Sequence, residues 1–313
     1  MGRDNMRIYS HSALKLFQRC QLKWKYKYID RLEVKPEDRP KYFERGSDLH
    51  ALLEATYDPD QSLGDAILAA SPENYALMER YFNKWDDDDW EVLSVEEEFH
   101  LEIGEHKLVF IPDLIVQIGD DVWVVDHKTT ANIPDEWDEY NMTDFQHLLY
   151  IAGVRLLYPN VRGFLFNYIR TKAPTQPKLI KDGSRISAVR SIDTDYDTLK
   201  AFADKTGTLD SETQDKLNIL KHSPDRYFQR HYIIAPDSAV DQCIADTDAV
   251  LTEMDWKEHF FDAPFPRHVV SKFAGAMACA KCEFQPLCHA ELLGINTDIV
   301  LLNYVERPPR ETA

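Results

Sequence analysis

Val122-Trp123-Val124-Val125-Asp126-His127-Lys128 is a short apolar run that ends in charge. Its β-branched bias reads as a strand rather than a helix. Side chains alternate across a strand, so Val122, Val124, Asp126 and Lys128 share one face. Asp126 and Lys128 then project side by side from the strand end. Upstream, Asp113 follows Pro112 and interrupts the apolar residues Ile111 and Ile115. A carboxylate there is costly unless it is paired or bound to metal. A strand predicted from Lys107 to Ile118 turns at Gly119-Asp120, which puts Asp113 and Asp126 on neighbouring strands. Two such carboxylates with water oxygens make a hard site suited to Mg²⁺ or Mn²⁺. Lys128 beside it can orient or deprotonate water. Taken alone, Asp-x-Lys is weak, because strand ends often carry plain salt bridges; that reading stays open here.

Val95, Phe99, Leu101 and Ile103 alternate with Glu96, Glu98, His100 and Glu102, and Gly104-Glu105-His106 is a hairpin turn. The phase places Glu97 on the inner face. These segments form a predicted three-stranded meander. Before it, Ser10-His11-Ser12 caps a helix predicted to reach Ile29, and a second helix starts near Arg45 with Leu49, Leu52 and Leu53 on one side. After it, Thr143 or Asp144 caps a helix to Leu157, and Val161 to Arg170 is a further strand. Helical patterns follow at 196–202, 210–220 and 238–260, with a strand-like interval at 227–234. This order predicts an α/β architecture with a mixed sheet. The expected organisation is an N-terminal helix (1–44), a core (45–175), and a mainly helical C-terminal part (176–313) with a cysteine lobe at 262–293, all in one compact unit.

The 313 residues are 44% hydrophobic, enough to bury a core without disulfides. No stretch is long and apolar enough for a membrane span, and MGRDNMRIYS lacks a signal core. The expectation is a soluble cytoplasmic protein with no membrane partner. The formal net charge is -18, which by itself argues against a polyanion as partner. Residues 15–45, however, carry ten Lys and Arg against five acids, and residues 162–190 carry seven against one. Acids gather at Asp86 to Asp89 and Glu96 to Glu98, where they can attract divalent cations or simply form a solvated face.

Several motifs resemble the RecB-like branch of the PD-(D/E)xK nucleases. Pro112-Asp113 followed by Asp126-His127-Lys128 is similar to the catalytic core, a restriction-endonuclease-like mixed sheet flanked by helices. Gly46-Ser47-Asp48-Leu49-His50 is similar to the G-x-x-x-H motif, and Gln146-His147-Leu148-Leu149-Tyr150 to Q-x-x-x-Y. The i, i+4 spacing puts Gln146 and Tyr150 on one helical face. The resemblance implies a metal held by His50, Asp113, Asp126 and the backbone carbonyl of His127. Lys128, Gln146 and Tyr150 would complete the site, with Glu97 as a further candidate. It implies a DNA exonuclease in recombination, repair or end processing, acting on single-stranded or duplex ends. An endonuclease on the same fold and a non-catalytic DNA-binding scaffold are the alternatives. One departure stands out: many relatives have Gly where this chain has Phe110. No G-x-x-x-x-G-K-[ST] loop occurs, so the chain either works without ATP or relies on a separate helicase; a helicase or a single-strand annealing protein is the candidate partner.

Three of the five cysteines form Cys279-x-x-Cys282-x5-Cys288, an incomplete thiolate set. The resemblance extends to iron–sulfur relatives of the AddAB and CRISPR-associated types, with one cysteine before the core and three after it. It implies a [4Fe–4S] cluster on Cys20, Cys279, Cys282 and Cys288, zinc being the alternative. Cys243 reads as a plain buried thiol. For DNA, the candidates are Lys23 and Lys27 on a basic helix with Trp24, Tyr26 and Tyr28, and Arg170 and Lys172 beyond the Val161 strand.

Overall fold

The computed structural model describes residues 6–38, 42–133, 145–260, 262–267, 279 and 282–308. The strands, in chain order, are β1 (Arg7–Ser10), β2 (Leu32–Val34), β3 (Glu91–Val95), β4 (Phe99–Ile103), β5 (His106–Phe110), β6 (Leu114–Ile118), β7 (Asp121–Thr130), β8 (Val161–Arg170), β9 (Phe228–Ile233) and β10 (Tyr304–Glu306). A five-stranded mixed sheet runs β3-β6-β7-β8-β9, and β1-β5-β4 form a smaller sheet. Only the β7–β8 pair of the larger sheet is parallel, with Asp126 opposite Phe166 and Lys128 opposite Tyr168. β9, from the C-terminal third, supplies the fifth strand against β8.

β7 is central, so both its faces are covered, and its sequence reads as a nearly continuous apolar run. Val122 and Val124 pack into the main core. Trp123 and Val125 pack into a separate cluster on the other face. The helix Phe145–Val154 is buried from Gln146 onward, as expected for a mainly apolar helix inside a core. On the opposite face, helix Tyr42–Tyr57 and helix Pro72–Lys84 share a cluster through Leu49, Leu52, Leu53, Leu77, Met78 and Tyr81. Among the described residues no helix is long and apolar enough to cross a membrane.

Two strand expectations are corrected. The single strand from Lys107 to Ile118 is two strands, β5 and β6, in different sheets. The break falls at Ile111-Pro112-Asp113, where Pro112 has no N–H to give a ladder. The strand through Val95 to Ile103 is also broken. β3 ends at Val95, Glu96 turns through a left-handed conformation (φ 47°), and β4 starts at Phe99. The first helix differs as well. Ser10 caps it by accepting from the Ala13 N–H at 3.1 Å, but it stops at Arg19. Cys20 is extended, a short turn follows at Gln21–Trp24, and Lys25–Ile29 is a widened π turn. The proposed caps Thr143 and Asp144 lie outside the described residues. In the second half, helices occupy Tyr196–Thr206, Ser211–His222 and Asp237–His259, close to their expected places.

Candidate metal centre

The break at Pro112 frees Asp113 from the ladder. Its Oδ2 accepts the His127 backbone N–H at 2.5 Å, which ties the start of β6 to the end of β7. Glu96 donates its own backbone N–H to the Asp113 carbonyl at 3.1 Å. The left-handed turn at Glu96 therefore brings a second carboxylate to Asp113. Gly46 brings the third group. A Cβ there would lie 3.3 Å from Thr129 Oγ1, so glycine lets helix Tyr42–Tyr57 approach the end of β7. His50, one turn later, has its Nδ1 3.7 Å from Asp113 Oδ2. The ligand atoms of His50, Glu96 and Asp113 all lie within 4.8 Å of one another.

Asp126 and Lys128 stand beside this trio. Asp126 is buried, with Oδ2 2.5 Å from Lys128 Nζ but no well-directed hydrogen bond to that oxygen. Gln146 spans the pair: its Nε2 donates to Asp126 Oδ1 at 2.8 Å and its Oε1 accepts from Lys128 Nζ at 3.2 Å. Tyr150, one turn on, is hydrogen-bonded to Gln146. Its ring stacks on Phe110 at 4.5 Å. Gly153 provides the room for Phe110. A Cβ at Gly153 would sit 2.3 Å from the Phe110 ring.

The electrostatics suit a hard cation. Burial holds the Asp113 carboxyl well above the usual range; repulsion from Asp126 adds to this, and the His127 N–H opposes it. Glu96 is pushed up to about 7 by burial, then by Glu54 and Asp126. Burial lowers the His50 imidazole, which keeps it neutral as a metal ligand must be. Acids crowded on oxygen and imidazole donors fit Mg²⁺ or Mn²⁺.

These shifts carry a sign. A carboxyl raised in the fold contributes stability below its unfolded value and loses it as pH rises through the folded one. The metal-free protein is thus expected to lose stability between about pH 5 and 8. Added Mn²⁺ should restore it, by about 2.7 kcal/mol at one hundred times its dissociation constant. Melting curves should show a larger Mn²⁺ shift at pH 8 than at pH 5, where protons compete. Equal shifts at both would disconnect these acids from the ion.

Behind the site, the His127 ring faces away from Asp126 and is fully buried. Burial lowers it to about 3, with His50 and Arg230 adding, so it is neutral. It pairs with Asn167 at 2.7 Å and stacks on Tyr57. Asn167 also donates to Tyr81 Oη at 2.7 Å. Arg230 donates to Tyr81 and to both oxygens of Asp88, and lies 3.9 and 4.1 Å from the Trp85 and Trp90 ring centres. Asp88, expected as solvated or cation-attracting, is instead held in an ion pair.

Other expectations need correcting. Glu97 is exposed and accepts from Ser94 Oγ at 2.7 Å. Period-two phasing failed because the chain is not a strand at residues 96–98, and Glu96 takes the inner place. No local signal chose among three successive glutamates. Glu54, one helical turn after His50, adds to the upward push on the Glu96 carboxyl. Arg170 is 5% exposed and grips Asp193 through two hydrogen bonds of 2.8 and 2.6 Å. Lys172 shares that aspartate at 2.9 Å, and Lys23 pairs with Glu283 at 3.2 Å. Lys27 is half-buried, and Trp24 and Tyr26 are core residues. In the structure Lys23, Arg170 and Lys172 are thus paired with acids.

Cys20, Cys282 and Cys288 border one apolar cluster of Leu22, Tyr26, Phe284, Leu287 and Tyr304. Burial pushes the Cys282 thiol up, with Cys20 among the groups adding to the shift. Cys282 donates its backbone N–H to the Cys279 carbonyl at 3.1 Å. Cys20, from the N-terminal segment, thus borders the same apolar cluster as Cys282 and Cys288. Cys243 is buried in helix Asp237–His259.

A family model described as the PD-(D/E)XK nuclease superfamily matches residues 8–289. No curated protein matches the sequence. Solved structures that resemble the chain include a provisionally named exonuclease from Eubacterium rectale, 13% identical over 89% of this chain and 86% of that one, with a TM-score of 0.45. Another, called SSO0001, is 13% identical over 91% and 87%, with a TM-score of 0.36. At those scores neither likeness carries weight.

Proposed function

The chain belongs to the PD-(D/E)XK nuclease superfamily, and from that premise we propose a DNA exonuclease that needs Mg²⁺ or Mn²⁺ and carries a thiolate-held iron–sulfur cluster. The meeting of His50, Glu96 and Asp113 within 4.8 Å, beside Asp126 and Lys128, carries the reading. His50, Glu96 and Asp113 would hold the ion, with Asp126 and the His127 carbonyl at its rim. A bound divalent ion supplies Lewis acidity and an acidified water. The chain's own residues do the rest. Lys128 holds a positive charge where negative charge develops on the phosphate. Gln146 fixes Lys128 relative to Asp126, and Tyr150 fixes Gln146. Hydrolysis leaves a 5′-phosphate and a 3′-hydroxyl.

Cys20, Cys279, Cys282 and Cys288 would hold the cluster, which joins the N-terminal segment to the C-terminal lobe. Recombination, repair or end processing in the cytoplasm, beside a separate helicase or annealing protein, is the setting that fits such an enzyme.

The test uses end-labelled single- and double-stranded linear DNA, and circular DNA, with Mn²⁺, Mg²⁺ or EDTA. Linear DNA should be degraded only with metal, and circles spared. Glu96→Gln should lower cleavage by at least roughly tenfold to a hundredfold, the loss known for residues that merely orient a metal ligand, and Glu97→Gln should leave it unchanged. Intact DNA under every condition sinks the nuclease reading; cut circles convert it to an endonuclease. Equal effects of the two substitutions would remove Glu96 from the site.

A further inference from the structure

Lys23, Arg170 and Lys172 are engaged with acids, which leaves room for other phosphate partners. Beside Tyr227 an open cleft of about 890 Å³ lies between helix Pro72–Lys84, helix Ser211–His222 and the connector at residues 223–227. Arg80, Lys84, Lys216, Lys221 and Arg226 line it, against Asp195, Asp197 and Asp225. Two of those acids are occupied: Asp195 pairs with Arg80, and Asp225 with Lys84 at 2.8 Å. Among the described residues, Lys216, Lys221 and Arg226 have no ion pair. Three cations against one free acid is the reverse of a chain whose net charge is -18.

Lys216 donates to the Arg190 carbonyl at 3.2 Å, and burial together with Arg226 lowers its ammonium. Like charges facing one another in a partly dry cleft are relieved by an anion. Thr194, also lining the cleft, is 1% exposed, and its hydroxyl has no hydrogen-bond partner. A phosphate oxygen would satisfy both needs. A relay of contacts joins the wall of the cleft to the strand that bears the metal centre. Tyr227 lies under the Arg170 guanidinium, 4.9 Å from ring centre to carbon. Arg170 Nε donates to the Ala131 carbonyl at 3.0 Å, just past the end of the strand bearing Asp126 and Lys128.

We propose that this cleft, through Lys216, Lys221, Arg226 and Thr194, holds backbone phosphates of a DNA strand running to or from the metal centre. The proposal rests on the nuclease reading and assigns part of its substrate path. Only a strand long enough to reach both places would use the cleft.

The test is the double variant Lys221→Glu with Arg226→Glu; both side chains are exposed, so the fold should melt as in the wild type. Binding of labelled single strands of about thirty and about six nucleotides is measured in EDTA across a salt series. The long strand should bind about tenfold more weakly, with a salt slope shallower by about 1.4, two contacts at about 0.7 each. The short strand should bind as before. Lys178→Glu with Lys181→Glu, exposed and outside the cleft, is the matched control and should have little effect. An unchanged long-strand affinity and slope, or an equal loss in the control, overturns the cleft. Cleavage of the short strand with Mn²⁺ is scored separately. Wild-type protein that cuts it while the cleft variant binds long DNA normally sinks the cleft alone; wild-type protein that cuts nothing sinks the nuclease reading.

Discussion

Lys128→Ala is expected to lower DNA cleavage by about a thousandfold, the scale for removing a preorganised charge at a transition state, while DNA binding persists. The reason is local. Lys128 Nζ is 2.5 Å from Asp126 Oδ2 and 3.2 Å from Gln146 Oε1, and the side chain is 37% exposed. It is thus both anchored and reachable by substrate. Alanine removes the positive charge without touching the His50, Glu96 and Asp113 trio, so metal binding should survive. Lys128→Arg should not rescue fully, because a planar guanidinium does not reproduce a compact ammonium between two oxygens. Gln146→Ala should have a smaller effect, since it loosens the geometry and leaves the charge. Single-turnover cleavage with Mn²⁺, alongside a titration of binding, separates these outcomes. Full activity in Lys128→Ala would take the lysine out of the chemistry.

Cys20→Ala is expected to yield colourless protein and a large fall in melting temperature. Cys20 and Cys288 lie near opposite ends of the chain, and a shared cluster would close almost the whole molecule into a loop. On the scale known for disulfides, closing a loop of about one hundred residues removes about 4.7 kcal/mol of unfolded-chain entropy. Cys20 is also the extended residue between the helix His11–Arg19 and the next turn. The backbone departs from the helix at the one cysteine of this segment. Cys243→Ala is the control, since that thiol packs in a helix remote in sequence from the others. Anaerobically purified wild-type protein should be brown, with iron and sulfide in equal amounts. Colourless wild type with stoichiometric zinc would replace the cluster with a zinc site. An unaltered melting point and metal content in Cys20→Ala would remove the link altogether.

Both predictions begin from residues readable in one dimension, and much of the rest was readable too. The strands β7 and β8, the helices of the second half and strand β9 follow from local periodicity, which is enough wherever an element is regular. The pairing of Gln146 with Tyr150 follows from one helical turn. Glu96 does not follow, because a single left-handed residue resets the alternation and nothing local announces it. The division of β5 from β6 was signalled by Pro112, but their assignment to separate sheets was not.

By itself the sequence determined the α/β class, the strand that presents Asp126 and Lys128, and the order of the motifs around it. These depend on short-range regularity, which side-chain periodicity records directly. Tertiary structure alone decided that Glu96 rather than Glu97 faces the centre. It also decided that Arg170, Lys172 and Lys23 are held by acids, and that a cleft elsewhere keeps free positive charge. Whether a charge is neutralised depends on partners far away in the chain, such as Glu283 for Lys23, and only folding brings those together.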